Sequence, residues 1–86
     1  METTIGPTAF GRAVLELMRE RNIADASELG LGRLDLRALR RHFDGENVFY
    51  RRRMPAHVAD ALKASDKEMT EMGLAYMGWS PQLANA

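Results

Sequence analysis

Cysteine is absent from this chain of 86 residues, and aromatic residues make up only 7% of it. The lack of cysteine excludes disulfides, thiol chemistry and cysteine-ligated zinc. A small chain without such cross-links is typical of a reducing compartment, so we expect a cytoplasmic location. The aromatic residues are too few to form a platform that stacks the bases of a single-stranded nucleic acid.

Long hydrophobic runs are missing as well. No stretch of the sequence approaches the roughly 20 apolar residues of a membrane span, and its first residues lack the basic region and apolar run of a signal peptide. We therefore expect no membrane partner. Strict alternation of apolar and polar residues, which marks strands, does not extend over a useful length, so the pattern favours an all-α fold.

Residues that could carry out catalysis or bind a metal are few and scattered. His42 and His57 are too isolated in the sequence to predict a metal site, and neither is placed to serve a serine nucleophile. Gly30 and Gly32 do not form a phosphate-binding loop, because no strand precedes them. We expect no enzyme activity, no metal and no cofactor.

The net charge is zero, but the charges are unevenly distributed. Residues 33–53 contain seven arginines and three acidic residues, a net charge of +4, whereas the rest of the chain has five basic and nine acidic residues, a net charge of −4. Such polarity directs one face of a protein toward a phosphate backbone. A GC-rich genome would explain the preference for arginine over lysine, but not the clustering.

Helix signals divide the sequence into about five short segments. Thr8 is a cap residue, and apolar residues follow at helical spacing as far as the left-handed stop expected at Asn22. Asp25 and Glu28 resemble a capping box that opens a second segment of one or two turns, which Gly30 and Gly32 end.

The remaining three segments have comparable signals. Asp35 is the expected cap of a third helix, whose apolar side holds Leu36, Leu39 and Phe43. Pro55 opens a fourth helix, and Ser65 with Glu68 forms a capping box for a fifth. The sequence thus predicts a compact all-α bundle of about five helices, with a flexible arm at residues 1–7, a domain at 8–79 and a flexible tail at 80–86.

Several segments resemble the xenobiotic-response-element family, the lambda-repressor-like or Cro/C1-type helix-turn-helix proteins. The first is Phe10-Gly11-Arg12 followed by Leu17-Met18-Arg19-Glu20-Arg21-Asn22-Ile23, although Asn22-Ile23 stands where the family commonly has Gly-Leu. Leu39 to Glu46 resembles the end of a recognition helix and its glycine stop, and the segments 55–62 and 65–68 resemble the last two helices. The likeness covers roughly residues 8–78.

Two registers compete in the middle of this resemblance. In one, Ala26, Leu29, Gly30 and Leu31 occupy the turn of the motif, and Leu36 and Leu39 are the buried positions of the recognition helix. In the other, Ile23 and Gly45 anchor the ends, Gly32 and Arg33 lie at the turn, and Leu34-Asp35 are the apolar residue and cap of the third helix. We favour the second register for that helix. Both keep Arg37, Arg40 and Arg41 on it.

The resemblance implies a sequence-specific regulator, such as a bacterial or phage repressor, that binds double-stranded DNA at the nucleoid. Its third helix would lie in the major groove, where Arg37, Arg40 and Arg41 would contact base edges. Phosphate contacts are expected from Arg33, Tyr50, Arg51, Arg52 and Arg53. The alternative for these arginines is a solvated surface that binds nothing.

The last helix carries a stripe of methionine and aromatic residues. This stripe either belongs to the core or forms the seam of a homodimer. It consists of Met69, Met72, Tyr76, Met77 and Trp79. Together with the zero net charge, the stripe also leaves open a second function. The chain would then be a protein-interaction module, such as an antitoxin or an adaptor, with a protein partner and the same helical fold.

Overall fold

The computed structural model describes residues 6–76, which form one small helical bundle. Its four α-helices are α1 (Ala9–Glu20), α2 (Arg33–Phe43), α3 (Met54–Leu62) and α4 (Asp66–Tyr76). A single 3-10 turn, Ala26–Leu29, lies between α1 and α2, and no strand occurs among residues 6–76. The all-α prediction is confirmed, whereas a bundle of five helices is not, because the second segment is only this turn.

Both ends of α1 follow the local signals of the sequence. The hydroxyl of Thr8 accepts a hydrogen bond from the Gly11 amide at 3.0 Å, as a capping residue should. After Glu20 the chain turns through Asn22, whose φ of 57° is left-handed. The predicted cap and stop of the first helix are confirmed.

The core lies where the four helices meet. Each helix contributes apolar side chains from one face, in keeping with the 3.6-residue period. The largest side chains that are completely or almost completely enclosed are Phe10, Val14, Leu39, Met54, Val58, Leu62 and Met72, together with the polar His42. An imidazole in this position needs hydrogen-bond partners, because burying an unsatisfied polar group is costly.

Helix α1 packs unusually close to the C-terminal end of α2. The amide of Thr8 donates to the carbonyl of His42 at 2.9 Å. A Cβ atom added to Gly11 would lie 2.6 Å from the same carbonyl oxygen, a distance that real Cβ atoms do not tolerate. Glycine is therefore required at position 11 for α1 to approach α2.

The start of α2 differs from the favoured prediction. The helix begins at Arg33 with Gly32 as its N-cap, so Asp35 lies inside the first turn and is not the cap. Leu34, the apolar position of the second register, is 47% exposed. Ala26 and Leu29 are buried, and Gly30 is left-handed with φ of 70°. Aspartate is a favoured cap residue, but the carboxylate of Asp35 forms tertiary contacts with Arg51 and His57 instead.

The connections to α3 and α4 are held by well-defined polar contacts. Pro55 is the second residue of α3, one position later than expected. The predicted capping box of α4 is confirmed, since the Ser65 amide donates to Glu68 Oε1 at 2.9 Å and the Glu68 amide donates to Ser65 Oγ at 3.2 Å. Arg21, at the end of α1, contacts both the end of α3 and the start of α4. Its Nε donates to the Leu62 carbonyl at 2.6 Å, and its Nη2 donates to Glu68 Oε1 at 3.0 Å.

The two predicted flexible segments lie largely or entirely outside the described residues. Of the predicted arm at residues 1–7, Gly6 and Pro7 are described, and they precede α1 without helical structure. The tail at residues 80–86 is wholly outside.

Candidate nucleic-acid interface

The outward face of α2 is rich in arginine. The helix buries Asp35, Ala38, Leu39 and His42 against the rest of the bundle. With 100° between successive residues, the opposite side of the helix carries Arg33, Arg37 and Arg40, all three of which are exposed. Arg41 lies at the edge of this face and is half-buried. The structure therefore brings the predicted base-contacting residues and Arg33 to one surface.

These arginines differ in how far they are already engaged. Arg40 donates from Nη2 to Asp25 Oδ2 at 3.3 Å, and both side chains are more than half exposed. Such a surface pair contributes little to stability and can exchange for a phosphate. Within residues 6–76, Arg33 and Arg37 form no ion pair. Their guanidinium groups are accordingly exposed and not held by a carboxylate of the described residues.

Asp35 links α2 to the segment that follows it. Its carboxylate, almost fully buried, accepts a hydrogen bond from Arg51 Nε at 2.8 Å and another from His57 Nδ1 at 2.6 Å. Burial by itself would raise the pKa of Asp35, but the hydrogen bonds from Arg51 and His57 and the charge of Arg51 outweigh it and hold this pKa below its ordinary value. The carboxylate remains ionised and holds the loop against α2.

The loop before α3 has two further anchors. The Val48 carbonyl accepts from His42 Nε2 at 2.9 Å and from the Tyr76 hydroxyl at 3.2 Å. The same hydroxyl lies 3.1 Å from the Arg51 carbonyl. Burial raises the pKa of Tyr76, so the phenol stays protonated and remains a donor. The loop is thus attached to the core at Val48 and at Arg51, the first residue of the basic segment 51–53.

A groove of about 270 Å³ opens beside this segment, lined by Tyr50, Arg51, Arg52, Arg53 and His57. Four of the five residues predicted to contact phosphate therefore share one cavity. Arg33, the fifth, lies on α2. Arg51 is partly committed to Asp35, whereas Arg52 and Arg53 are exposed. The cavity presents a concentration of positive charge.

His42 and His57 are isolated in the sequence, but both have specific partners in the structure. Neutral His42 accepts at Nδ1 from the Thr8 hydroxyl, 2.7 Å away, and donates from Nε2 to the Val48 carbonyl. Burial lowers the pKa of His42 and outweighs the opposing hydrogen bond to Val48. Tertiary hydrogen bonds distinguish these histidines, and no short motif in the sequence indicates them.

The predicted dimer seam needs correction. Met72 is 1% exposed and Tyr76 is 7% exposed, because both side chains pack in the core of the single chain. Tyr76 makes edge contacts with Phe10 and Phe49, with ring centroids 5.1 Å apart in each case. Neither residue offers surface to a second copy. Met69 is 38% exposed, and Met77 and Trp79 lie outside the described residues.

Acidic side chains gather on another part of the surface. Glu16, Glu20, Glu68 and Glu71 line a groove between α1 and α4, with Leu17 and Met72 among its apolar lining residues. Within residues 6–76, no group of three or more acidic or histidine side chains is arranged to hold a metal ion. The uneven charge distribution of the sequence is therefore preserved as separate basic and acidic surfaces.

No helix within residues 6–76 has both the length and the apolar character needed to cross a bilayer. Searches against protein-family models, curated proteins and solved structures found no match to this chain.

Proposed function

We propose that this chain binds double-stranded DNA in a sequence-specific manner and regulates transcription as a repressor does. The observation that carries the proposal is the exposed position of Arg33 and Arg37, one turn apart at the start of α2. Their backbone is held by Ala38 and Leu39, both completely buried. A helix anchored in this way can present guanidinium groups to base edges without first having to become ordered.

The segment before α2 supports a helix-turn-helix interpretation. The 3-10 turn Ala26–Leu29 ends at Gly30, and α2 begins three residues later. In helix-turn-helix proteins the second helix of the motif enters the major groove with its N-terminal residues against the bases. In this chain those residues are Arg33 and Arg37, with Arg40 and Arg41 further along.

The groove lined by residues 50–53 and His57 supports the phosphate contacts of the proposal. Phosphate contacts fix the position and orientation of a protein on the duplex, and base contacts supply specificity. Arg52 and Arg53 are exposed, and Asp35 holds their loop next to α2. On this proposal the protein acts on the chromosome, in the cytoplasm and associated with the nucleoid. It has no enzymatic role and needs no cofactor.

Selection of bound sequences from a random duplex pool tests the proposal. We expect enrichment of one motif containing guanine, the natural target of an arginine fork in the major groove. A palindromic motif with half-sites about one helical turn apart would indicate that two copies bind together. Failure to enrich any sequence at low salt would contradict the DNA-binding proposal.

A specific observation also favours an alternative, a protein-interaction module such as an antitoxin or adaptor. Leu34, Phe49 and Tyr50 are each close to half exposed and lie on α2 or on the loop that carries the arginines. A mixed basic and apolar surface suits an acidic protein partner with aromatic or aliphatic anchors. A stoichiometric complex that forms through Leu34 and Phe49, in a protein that enriches no DNA, would favour this alternative.

A further inference from the structure

The groove beside α3 contains a side chain that the proposed function does not use. His57 lies on α3 and lines the groove together with Tyr50, Arg51, Arg52 and Arg53. Arginine forks provide paired N–H donors that match the oxygens of a phosphate group. The volume of about 270 Å³ accommodates one such group with attached water, since a water molecule occupies roughly 30 Å³ of liquid.

The orientation of the His57 ring follows from its partner. Nδ1 lies 2.6 Å from Asp35 Oδ2. Because an ionised carboxylate only accepts hydrogen bonds, Nδ1 must carry the hydrogen and donate it. This leaves Nε2 at the far side of a ring whose side chain is 46% exposed, without a hydrogen-bond partner among residues 6–76.

We propose that this groove binds a phosphate group and that His57, oriented by Asp35, is one of the phosphate ligands and takes up a proton when the phosphate binds. The proton uptake follows from the geometry for a ring that is neutral before the phosphate binds. With Nδ1 committed to Asp35, Nε2 of the neutral ring can only accept, and the oxygens of a DNA phosphodiester also only accept. A hydrogen bond between them therefore requires a second proton on the ring. The inference rests on the proposed function, because the phosphate we expect here belongs to the DNA backbone.

The charges around His57 act in both directions. Arg51, Arg52 and Arg53 oppose a further positive charge in the groove, which Tyr50 also lines. Asp35 favours the charge through its hydrogen bond. Asp60 favours it from one turn further along α3, where it lines the adjacent cavity with Asp35 and His57. A bound phosphate adds negative charge on the arginine side and so shifts this balance toward the protonated ring.

Fluorescence anisotropy measurements of the affinity for duplex DNA, at pH values between about 5.5 and about 8, test the inference. Histidine is the side chain that ordinarily changes charge in this range. The buffers contain no phosphate and have constant ionic strength. We expect the affinity of the unmodified chain to rise as the pH falls, by at most about tenfold per pH unit, the limit for one proton taken up. In His57→Gln this pH dependence should be lost, because the amide can still donate to Asp35 but cannot become charged.

Arg19→Gln provides the matched control. Arg19 is an exposed cation on α1, outside the groove, so this variant should keep the pH dependence of the unmodified chain. The ring nitrogens of His57, observed by ¹⁵N NMR in the unmodified chain, give a measurement that does not depend on the folding of a variant. On addition of DNA, Nε2 should change from an acceptor to a protonated donor.

The outcomes separate the two proposals. If the chain binds DNA but His57→Gln retains the same pH dependence, or if the Nε2 signal does not change, the role of His57 is refuted and DNA binding stands. If the chain binds no duplex, the proposed function is refuted, and inorganic phosphate is then titrated while the His57 signals are followed. A change in the Nε2 signal under that condition would support a site for another phosphate-bearing ligand, and no change would refute the site as well.

Discussion

The carboxylate of Asp35 and the guanidinium of Arg51 lie 2.8 Å apart and join two separate parts of the basic surface. Asp35 belongs to the first turn of α2, and Arg51 lies in the loop that precedes α3. Through this contact, the helix expected to contact bases and the loop expected to contact phosphates hold a constant position relative to each other. Base and phosphate contacts on one duplex require such a fixed spacing.

Two arginines should affect DNA binding in different ways. Arg37→Ala should relax sequence preference at one position of the selected site and weaken binding there by about 1–3 kcal/mol, the discrimination of one bidentate contact. Arg52→Ala should weaken binding to selected and random sequences alike and reduce the dependence on salt by about one ion. Competition binding at several salt concentrations measures both effects. Equal affinity of both variants and the unmodified chain for all sequences would contradict the proposed interface.

Removing the charge of Asp35 should destabilise the fold. Asp35→Asn places an amide group where two N–H donors converge, and one of them loses its acceptor. Because the partners are partly exposed, we expect a loss of about 1–3 kcal/mol in the free energy of unfolding, measured with urea. The pKa of Asp35 is lowered in the folded chain, so its contribution is present above the ordinary value of 3.8 and disappears as the pH falls through the folded-state pKa.

Asp25→Asn is the matched control for that experiment. Asp25 also pairs with an arginine, but its side chain is 57% exposed, and asparagine can replace it as the cap of the 3-10 turn. Its free energy of unfolding should therefore change by less than about 0.5 kcal/mol. Similar losses in the two variants would show that burial of Asp35 is not what makes it important.

Acidification should destabilise the chain through His42. Burial lowers the pKa of this residue in the folded state below its ordinary value of 6.5. Between the two values the unfolded chain binds the proton more tightly, so the stabilising contribution is fully present above pH 6.5 and is lost as the pH falls through the folded-state pKa. Urea unfolding from neutral pH downward measures the loss. An unfolding free energy that is constant across this range would contradict the buried neutral imidazole.

Two methionines of α4 should behave differently when shortened. Met72→Ala should cost about 2–5 kcal/mol of stability because it leaves a cavity in the core. Met69→Ala, on the exposed side of the same helix, should change stability by less than about 0.5 kcal/mol. Thermal unfolding compares the two. If Met69→Ala alone reduces a dimer seen by sedimentation, the exposed part of the predicted stripe serves as an interface.

Local signals in the sequence were sufficient for most helix ends. The Thr8 cap, the left-handed Asn22 and the two capping boxes at Asp25 and Ser65 all occur as predicted. The three caps depend on contacts between residues at most three positions apart, and the left-handed stop is closed by a hydrogen bond between residues five apart, so nearby residue types contain the necessary information. The period of apolar residues likewise determined that the chain is helical.

Only the tertiary structure decided the roles of Asp35, Met72 and Tyr76. Asp35 resembles a cap locally, but its partners Arg51 and His57 lie 16 and 22 positions away. The period of α4 marks an apolar stripe and does not distinguish a core from an interface, and the packing of Tyr76 on Phe10 made that choice. Contacts between distant residues depend on how the helices pack together, and the preferences of individual residues do not specify that arrangement.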